Sequence, residues 1–272
     1  MSWYEKTALG KETDYHNDYN PNLLCPLLRA EGRQQLGLVD SLPFHGVDIW
    51  HNYEASWLNA KGKPQVAIVQ MFFSAESPYL IESKSLKLYF NSLNFKRFNN
   101  GDDVVNLLVS DLSKASASAV KVVLIPISQQ TETRLLQGVC VDDLDVEIND
   151  FVLNPNVLSN KPNAEIVNET LYSHLLRSNC PVTNQPDWGS VSITYTGKAI
   201  DYEGVLRYLI SFRQHNDFHE QCVERIFTDV MRYCQPEKLT VQAYYTRRGG
   251  LDINPFRTNV DIAPEFRRLV RQ

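Results

Sequence analysis

The chain has 272 residues, 43% of them hydrophobic and 22% charged, which is enough apolar material for a substantial core. At about 150 residues per domain, this length fits one large domain or two small ones. The 27 Lys and Arg residues against 32 Asp and Glu residues give a net charge of -5, which argues against a nucleic-acid or membrane-surface partner, because both usually require a net basic face. No run approaches the roughly 18 apolar residues of a membrane span, and the N-terminus lacks the apolar region of a signal peptide, so we expect a soluble, cytoplasmic protein.

The first half of the chain alternates between strand-like and helix-like patterns. A run of β-branched and aromatic residues after Gly62 and Pro64 indicates a strand. Leu86, Tyr89 and Phe90 follow the spacing of an amphipathic helix. In chain order, the patterns predict a strand at 65–74, helices at 82–98 and 102–114, and strands at 119–127 and 139–148.

The second half repeats the same order of elements. The patterns predict strands at 165–176 and 190–196, helices at 202–214 and 220–234, and a strand at 239–247. Matching elements lie roughly 120 positions apart, pairing Val66 with Val191, Glu82 with Glu203 and Val122 with Thr240. A doubled order of this kind predicts an α+β fold with two antiparallel sheets, each covered on one face by two helices. Residues 1–45 lie outside the repeat and are expected to form an extension.

The cysteines do not form a recognisable framework. Their number is odd, and no two are spaced as C-x-x-C, so neither a disulfide scaffold nor a metal site is predicted. Such usage is typical of a reduced cytoplasmic chain in which at most one thiol carries chemistry. The five are Cys25, Cys140, Cys180, Cys222 and Cys234, and all but Cys180 are best explained as packing residues.

One segment, 178–189, could support nucleophilic chemistry. It lies between two predicted strands, where two prolines and a glycine restrict the chain, and rigidly supported loops often carry catalytic groups. It offers the thiol of Cys180 and, seven residues later, the carboxylate of Asp187. A free cysteine is also a common small core residue. From composition alone, a catalytic and a packing role for Cys180 both stay open.

The start of the first predicted helix could bind an anion. Lys84 and Lys87 share one helix face, the hydroxyls of Ser83 and Ser85 are close by, and helix N-terminal amides attract negative charge. Glu82 is equally explained as a capping residue. Both interpretations remain open here.

Two further polar segments have structural and functional interpretations. Residues 247–250, Arg-Arg-Gly-Gly, could hold a phosphate by charge and close backbone approach, or could form an ordinary turn. Between the last two predicted helices, Asp217 could cap the second helix with Glu220 in its first turn, which leaves His219 unexplained. The chain has neither G-x-G-x-x-G nor a P-loop motif, so no nucleotide is bound by those devices.

The octapeptide at 82–89, ESKSLKLY, matches the pattern E-[SL]-K-[SA]-hydrophobic-K-[LY]-[YFW] at every position. The sequence therefore resembles the NADPH-dependent 7-cyano-7-deazaguanine reductases, the nitrile reductases of queuosine biosynthesis, a tRNA modification (QueF family). The resemblance covers nearly the whole chain, because segments 42–58, 178–189, 218–226 and 244–255 also look like the long, two-module members.

The resemblance implies the tunnelling fold (T-fold), in which ββααββ modules assemble antiparallel sheets into a barrel with helices packed on one face. It implies a first module at 46–155, carrying ESKSLKLY, and a second at 156–272, carrying the Cys/Asp loop, after the extension at 1–45. Two-module members are homodimers, and their partner is a small deazaguanine substrate rather than nucleic acid or membrane.

The resemblance also implies the reaction. Cys180 would attack the nitrile carbon to give a covalent thioimide, since a thiolate adds well to this modest electrophile. Asp187 would protonate the nitrile nitrogen. Two NADPH molecules per turnover, with no metal, would then deliver the hydrides that give 7-aminomethyl-7-deazaguanine.

Binding positions follow from the same resemblance. A carboxylate suits a guanine-like base because it accepts paired hydrogen bonds from N1–H and the 2-amino group. The substrate-contacting positions are Ile81, Glu82, Ser83, His219 and Glu220, with His219 also a candidate to shield or protonate the intermediate. The positions that contact NADPH are Ser83, Lys84, Arg248 and Gly249.

Two alternatives stay open at this point. A zinc-dependent cyclohydrolase-like enzyme of the same fold would need several Cys or His ligands around one ion, whereas the loop at 178–189 offers one cysteine. A non-catalytic deazapurine-binding module would keep the base-binding carboxylates without needing Cys180 and Asp187.

Overall fold

The fold was analysed in a computed structural model of the chain. It describes residues 18–39, 41–129, 133–264, 266 and 268–272, so residues 1–17 of the predicted extension lie outside the described residues. The described residues form two compact units. The first unit falls within 1–37, 48–132 and 247–253, and the second within 38–47, 133–246 and 254–272.

The described part of the first unit contains a sheet that includes β2, β3, β5 and β6, two long helices and a small second sheet. Its elements in chain order are β1 (Pro26–Leu28), α1 (Arg29–Gln34), β2 (His45–Asn59), β3 (Pro64–Ser74), β4 (Tyr79–Ile81), α2 (Ser83–Ser92), β5 (Arg97–Phe98), α3 (Gly101–Ser116) and β6 (Val120–Ile125). The strand order is β6-β3-β2, with β5 parallel to the end of β2, while β1 and β4 pair separately and antiparallel.

Alternation along β3 explains how the core of this unit forms. Ala67, Val69, Met71 and Phe73 are buried while the residues between them are less so, which directs one face of the sheet inward. Helices α2 and α3 cover that face with Leu86, Tyr89 and Phe90, and with Val104, Leu108 and Leu112. The packing is that of helices on one face of an antiparallel sheet, as predicted.

The second unit has the same plan with a larger sheet. Its elements are β7 (Val139–Cys140), β8 (Ile166–Asn179), β9 (Pro186–Lys198), α4 (Tyr202–Ser211), α5 (His219–Cys234), β10 (Lys238–Tyr245) and β11 (Leu251–Thr258), the last of which begins in the first unit. The order is β11-β10-β9-β8-β7; all pairs given a register are antiparallel except β7 with β8. Its core joins β9 and β10 to apolar residues of α4 and α5.

Equivalent hydrogen bonds mark the two units as repeats. In the first, Tyr89, the seventh residue of α2, donates its hydroxyl to Asp111, the eleventh residue of α3, at 2.6 Å. In the second, Tyr208, the seventh residue of α4, donates to Asp229, the eleventh residue of α5, at 2.7 Å. The predicted repeat is therefore confirmed at the level of single side chains.

In both units an asparagine that precedes the two helices in sequence is hydrogen bonded to the first of them. The backbone N–H of Asn20 donates to Ser92 of α2 at 3.2 Å, and that of Asn154 donates to Ser211 of α4 at 3.1 Å. Each asparagine is the N-cap of a short 3₁₀ turn, at Pro21–Leu23 and at Pro155–Val157. In both cases the cap and the first two residues of the turn read Asn-Pro-Asn. Part of the predicted extension thus has a counterpart in the second unit. The unit limits also differ from the predicted boundaries at 46–155 and 156–272, which stay a prediction.

The first predicted helix, 82–98, is too long. Helix α2 ends at Ser92, and the backbone then turns, with Lys96 donating to the carbonyl of Leu93 at 3.0 Å. The turn allows Phe98, in β5, to enter the core. The repeat pairing of Glu82 with Glu203 is also wrong by two residues, because the caps of α2 and α4 are Glu82 and Asp201.

The predicted strand at 139–148 is wrong beyond Cys140. The carboxylate of Asp142 accepts the backbone N–H of His174 at 2.7 Å, so a side chain replaces the backbone acceptor and the ladder ends. Strands β2 and β11 were not predicted. Both contain buried polar residues, among them Asp48, Asp252 and Arg257, which hide the alternation on which strand prediction depends.

Candidate functional site

The motif ESKSLKLY forms the start of α2 in the first unit. Ile81 ends β4 and is buried, Glu82 is the N-cap, and Ser83 is the first helical residue. The Glu82 carboxylate accepts the backbone N–H groups of Lys84 at 2.6 Å and Ser85 at 2.7 Å. The capping role of Glu82 is therefore confirmed. Each carboxylate oxygen has a second lone pair, so capping does not exhaust its capacity to accept hydrogen bonds.

Burial dominates the acidity of Glu82. The side chain has no exposed surface, and this desolvation raises the pKa of its carboxyl group. The amides of Lys84 and Ser85 and the positive charge of Arg248 act in the opposite direction. Glu82 is therefore a buried carboxyl whose protonation responds to local donors and charge.

The N-terminal segment supports this helix start. The hydroxyl of Ser85 donates to the Glu82 carbonyl at 2.7 Å and accepts the backbone N–H of Cys25 at 3.0 Å, and the Glu82 N–H donates to the Cys25 carbonyl at 3.0 Å. Ser85 is thus a buried structural residue. Its hydroxyl is already hydrogen bonded within the protein, so it does not belong to the anion site predicted at the start of α2. Burial and the nearby Glu82 charge raise the pKa of the Cys25 thiol.

The Arg-Arg-Gly-Gly segment is a tight turn in the first unit. Arg248 and Leu251 exchange backbone hydrogen bonds at 2.8 and 3.2 Å, and Gly249 and Gly250 have φ values of +60° and +79°. Two consecutive positive φ values explain both glycines by conformation alone. A Cβ atom on Gly250 would overlap the Glu54 side chain.

This turn lies against α2. A Cβ atom on Gly249 would be 3.0 Å from Cδ of Lys87, and Arg248 acts electrostatically on Glu82. The guanidinium of Arg247 lies 3.8 Å from the centre of the Tyr53 ring. The structure therefore brings together, within the first unit, two segments that are far apart in sequence and were separately predicted to bind an anion.

A buried polar network supports the same region and was not found from sequence. Asp252, directly after the turn, accepts the Tyr53 hydroxyl at 2.6 Å and lies 2.7 Å from Nδ1 of His51. Nε2 of His51 is 2.9 Å from the Gln70 amide. The signal available in the sequence was the polar character of β2 and β11, which becomes meaningful only when these residues are seen together.

The Cys180 loop joins β8 to β9 in the second unit. The backbone N–H of Cys180 donates to the Gln185 carbonyl at 2.8 Å, and Asn184 closes the turn with φ of +56°. In the β8–β9 register Ser178 lies opposite Asp187, so these two side chains share a face. Cys180 is the first residue after β8, two residues beyond Ser178. Cys180 and Asp187 are both buried.

The connection between α4 and α5 is bound to this loop. Asn179 donates its N–H to the His215 carbonyl at 2.8 Å and accepts the N–H of Asp217 at 3.1 Å. The Asn216 side chain donates to the Cys180 carbonyl at 3.3 Å and to the Asn184 side chain at 3.0 Å. These bonds place the start of α5 beside the Cys180 loop.

Helix α5 begins with the remaining predicted residues, His219 and Glu220, both buried. Nε2 of His219 lies 3.6 Å from Oδ2 of Asp187. The proposed cap is displaced by one residue: Phe218 is the N-cap, and Asp217 accepts the Phe218 N–H at 3.0 Å instead of a helix amide. Cys180, Asp187, His219 and Glu220 are therefore gathered in the second unit.

Cys222 and Cys234 are buried in the core of the second unit. Burial raises the pKa of Cys222 and raises that of Cys234 to about 12.

No group of three or more His, Cys, Asp or Glu side chains in the described part of the chain could hold a metal ion. None of the described helices is long and apolar enough to cross a membrane.

Comparisons with known proteins identify the family of the chain. Residues 15–124 match the family model described as "Nitrile reductase, 7-cyano-7-deazaguanine-reductase N-term", and residues 186–263 match the model of the QueF-like protein family. Together the two matches cover more than half of the chain. One similar solved structure is the archaeosine synthase QueF-Like in the apo form, 16% identical, with a TM-score of 0.31, covering 38% of this chain and 100% of that one.

The fold and the matched models define the class: the chain belongs to the QueF family. The matched regions contain ESKSLKLY, Asp187 and the Arg-Arg-Gly-Gly turn. Within that class the chain is a nitrile reductase of the 7-cyano-7-deazaguanine reductase type.

Proposed function

We propose that this enzyme reduces 7-cyano-7-deazaguanine to 7-aminomethyl-7-deazaguanine with two NADPH per turnover, through a covalent thioimide on Cys180, as a step toward queuosine. The observation that carries the proposal is the arrangement around the β8–β9 hairpin. Cys180 is the first residue after β8, Asp187 is the second residue of β9, and His219 lies 3.6 Å from Asp187. Addition to a nitrile requires a nucleophile and a proton donor, the roles proposed for Cys180 and Asp187, and His219 is a titratable group beside that donor.

In the first proposed step, the Cys180 thiolate adds to the nitrile carbon. One carbon–nitrogen π bond opens as the C–S bond forms, and the electron pair goes to nitrogen. Asp187 would give that nitrogen a proton and become a carboxylate, so the product is a neutral thioimide. The burial of Cys180 and Asp187 supports this role, because charge developing on nitrogen is stabilised more strongly by a donor in a water-poor site.

The cofactor-binding proposal rests on residues of the first unit. NADPH supplies the hydrides that convert the thioimide to the amine. The hydroxyl of Ser83, the cations of Lys84 and Arg248, and the exposed backbone of Gly249 suit an anionic dinucleotide. Lys87 adds a further cation where α2 meets the turn. The donor set therefore fits the phosphate groups of NADPH.

Recognition of the deazaguanine base is assigned to Ile81, Glu82, Ser83, His219 and Glu220. A buried carboxylate favours this task, because paired hydrogen bonds from a guanine-like edge gain specificity in a dry site. Glu82 and Glu220 are both almost completely buried. The expected homodimer and the cytoplasmic location stay predictions, the former to be measured by light scattering coupled to gel filtration.

The covalent step is tested by intact-mass measurement. Without NADPH, the wild-type enzyme should gain the mass of one nitrile molecule, and Cys180→Ala should show neither this gain nor NADPH oxidation. Cys140→Ala is the matched control, because Cys140 lies on β7, only part-buried, and should keep the adduct. Reduction that survives Cys180→Ala, or stoichiometric zinc in the active enzyme, would contradict the mechanism.

The cofactor assignment has its own test. Lys84→Ala and Arg248→Ala should each raise the KM for NADPH by about tenfold or more, since a hydrogen bond to a charged group contributes about 1.5–3 kcal/mol. Adduct formation should be unchanged. Lys61→Ala, an exposed lysine in the β2–β3 turn of the same unit, is the control. Loss of the adduct in either variant would show that the replaced residue is needed for substrate binding or for the covalent step, and that its assignment to NADPH alone is wrong.

A further inference from the structure

We propose that Tyr245 is a positioning residue whose ring holds the His219 imidazole against Asp187; this rests on the proposed function, in which Asp187 supplies the proton. Tyr245 is the last residue of β10, and the sequence assigned no role to it. Its role would be mechanical, through contact with His219 rather than with the substrate.

The contact between His219 and Asp187 depends on how the imidazole is oriented. Its separation of 3.6 Å is longer than a direct N–H···O hydrogen bond, so this contact alone does not fix the plane of the ring. His219 is the first residue of α5, and the Gln221 side chain accepts the N–H of the N-cap residue, Phe218, at 3.4 Å. A change in the χ angles of His219 would alter its distance from Asp187.

Tyr245 packs directly against the His219 ring. Its ring centre lies 4.0 Å from that of His219, at an interplanar angle of 66°, and Tyr245 is completely buried. In the sheet register Tyr245 lies opposite Gly189, two residues after Asp187. A Cβ atom on Gly189 would be 3.2 Å from Cδ1 and 3.4 Å from Cε1 of the tyrosine ring. The glycine therefore leaves the space that the ring occupies.

The backbone at Tyr245 is itself anchored. Its carbonyl accepts the side-chain amide of Gln272 at 3.2 Å, and the following residue, Thr246, donates its N–H to the Trp188 carbonyl at 2.8 Å. The ring is thus carried by a strand end that is fixed on both sides. This rigidity is what a positioning residue requires.

In this proposal the aromatic ring of Tyr245, and not its hydroxyl, positions His219. The hydroxyl lies in an interior group with the Ser178 hydroxyl and the Cys222 thiol. Burial raises the pKa of both Tyr245 and Cys222, so both remain protonated and neutral near pH 7. We therefore assign the positioning role to the ring of Tyr245, which phenylalanine would preserve.

The test compares Tyr245→Phe with Tyr245→Leu. Adduct formation on Cys180, followed without NADPH, should slow by about 10- to 100-fold in the leucine variant, because small misplacements of catalytic groups cost rates of this order. The KM for the nitrile should change far less, the pH profile of the step should shift, and Tyr245→Phe should stay within about threefold of wild type.

A second readout does not depend on activity. In the nuclear magnetic resonance spectrum, the ring protons of His219 should be displaced by the Tyr245 ring current in wild type and Tyr245→Phe, and not in Tyr245→Leu. If the wild-type enzyme formed no adduct, the proposed function would fail while this measurement still tested the contact. Gly189→Ala, which crowds the ring by a few tenths of an ångström, should show a smaller displacement and an intermediate rate. Unchanged rates, pH profile and His219 signals in both Tyr245→Leu and Gly189→Ala would overturn the proposal.

Discussion

Replacing Glu224 should destabilise the second unit strongly, because it removes the partner of a completely buried arginine. Arg257 of β11 donates from Nε at 3.1 Å and from Nη2 at 2.9 Å to one carboxylate oxygen of Glu224 in α5. Nη1 donates to the Phe256 carbonyl at 3.0 Å, and the guanidinium lies 5.7 Å from the centre of the Phe44 ring. Neither ion has more than a trace of exposed surface.

The size of the effect follows from this burial. Removing one partner of a buried ion pair costs about 3–5 kcal/mol, because the remaining charge loses its main compensation in a poorly solvated place. Glu224→Ala also deletes a buried methylene, worth about 0.8 kcal/mol. Glu224→Gln keeps the volume and one acceptor oxygen, so its loss should be smaller. Since domains are stable by only about 5–15 kcal/mol, the alanine variant should be close to the limit of folding.

Urea unfolding followed by tryptophan fluorescence measures these differences at fixed protein concentration. The matched control is Glu203→Gln, which breaks the exposed pair of Glu203 with Arg207 in α4, at 2.6 Å. That pair lies four residues apart on a helix surface and is worth about 0.3–0.5 kcal/mol. A loss below about 1 kcal/mol in Glu224→Ala would refute the reasoning, since it would mean that Arg257 is compensated elsewhere.

Two further predictions concern titratable groups. Because burial raises the pKa of Glu82, the folded state holds this proton more tightly than the unfolded chain, so wild-type stability should fall as pH rises from the ordinary glutamate pKa through the raised one. Glu82→Gln should lack that fall, and parallel stability curves from about pH 4 to about pH 8 would contradict the assignment. Buried Cys222 and Cys234, with raised pKa values, should resist iodoacetamide in the folded protein while Cys140 reacts, as peptide mapping would measure. Equal labelling rates for the three would count against their burial.

The division of polar groups between the two units bears on the chemistry. In the first unit, cations of α2 lie beside a turn that supplies one more and leaves its backbone open through Gly249. In the second unit, the thiol, the carboxylic acid and the imidazole lie on and beside one hairpin. A net charge of -5 does not oppose binding of an anionic dinucleotide, because the groups proposed to bind it form a local cluster.

Periodic segments were predicted well, and irregular ones were not. Strand β3 and helix α5 were placed to within about two residues, because their apolar residues recur at the period of the element. The end of α2 at Ser92 was missed, since it depends on Phe98 entering the core through β5. Strand β11 was missed because Asp252 and Arg257 are buried along it through partners distant in sequence.

For the candidate site, residue types were predictable and their surroundings were not. The resemblance selected Cys180, Asp187 and His219, and the structure gathers them in one unit. No pattern indicated Tyr245, because an aromatic residue at the end of a strand resembles any core residue until its neighbours are known. Gly189 was noted in the sequence only as a residue that restricts the loop, and the ring packed over it became evident in the structure.

The sequence by itself determined the doubled order of elements, the family and the groups that could carry chemistry, because these depend on local periodicity and on motifs contiguous along the chain. Tertiary structure decided that Glu82 caps α2, that Lys87 meets the turn at Gly249, and that the α4–α5 connection is hydrogen bonded to the Cys180 loop. The physical reason is that burial, pKa and contact distance are properties of neighbours in space. They arise only when segments separated by tens of residues are packed together.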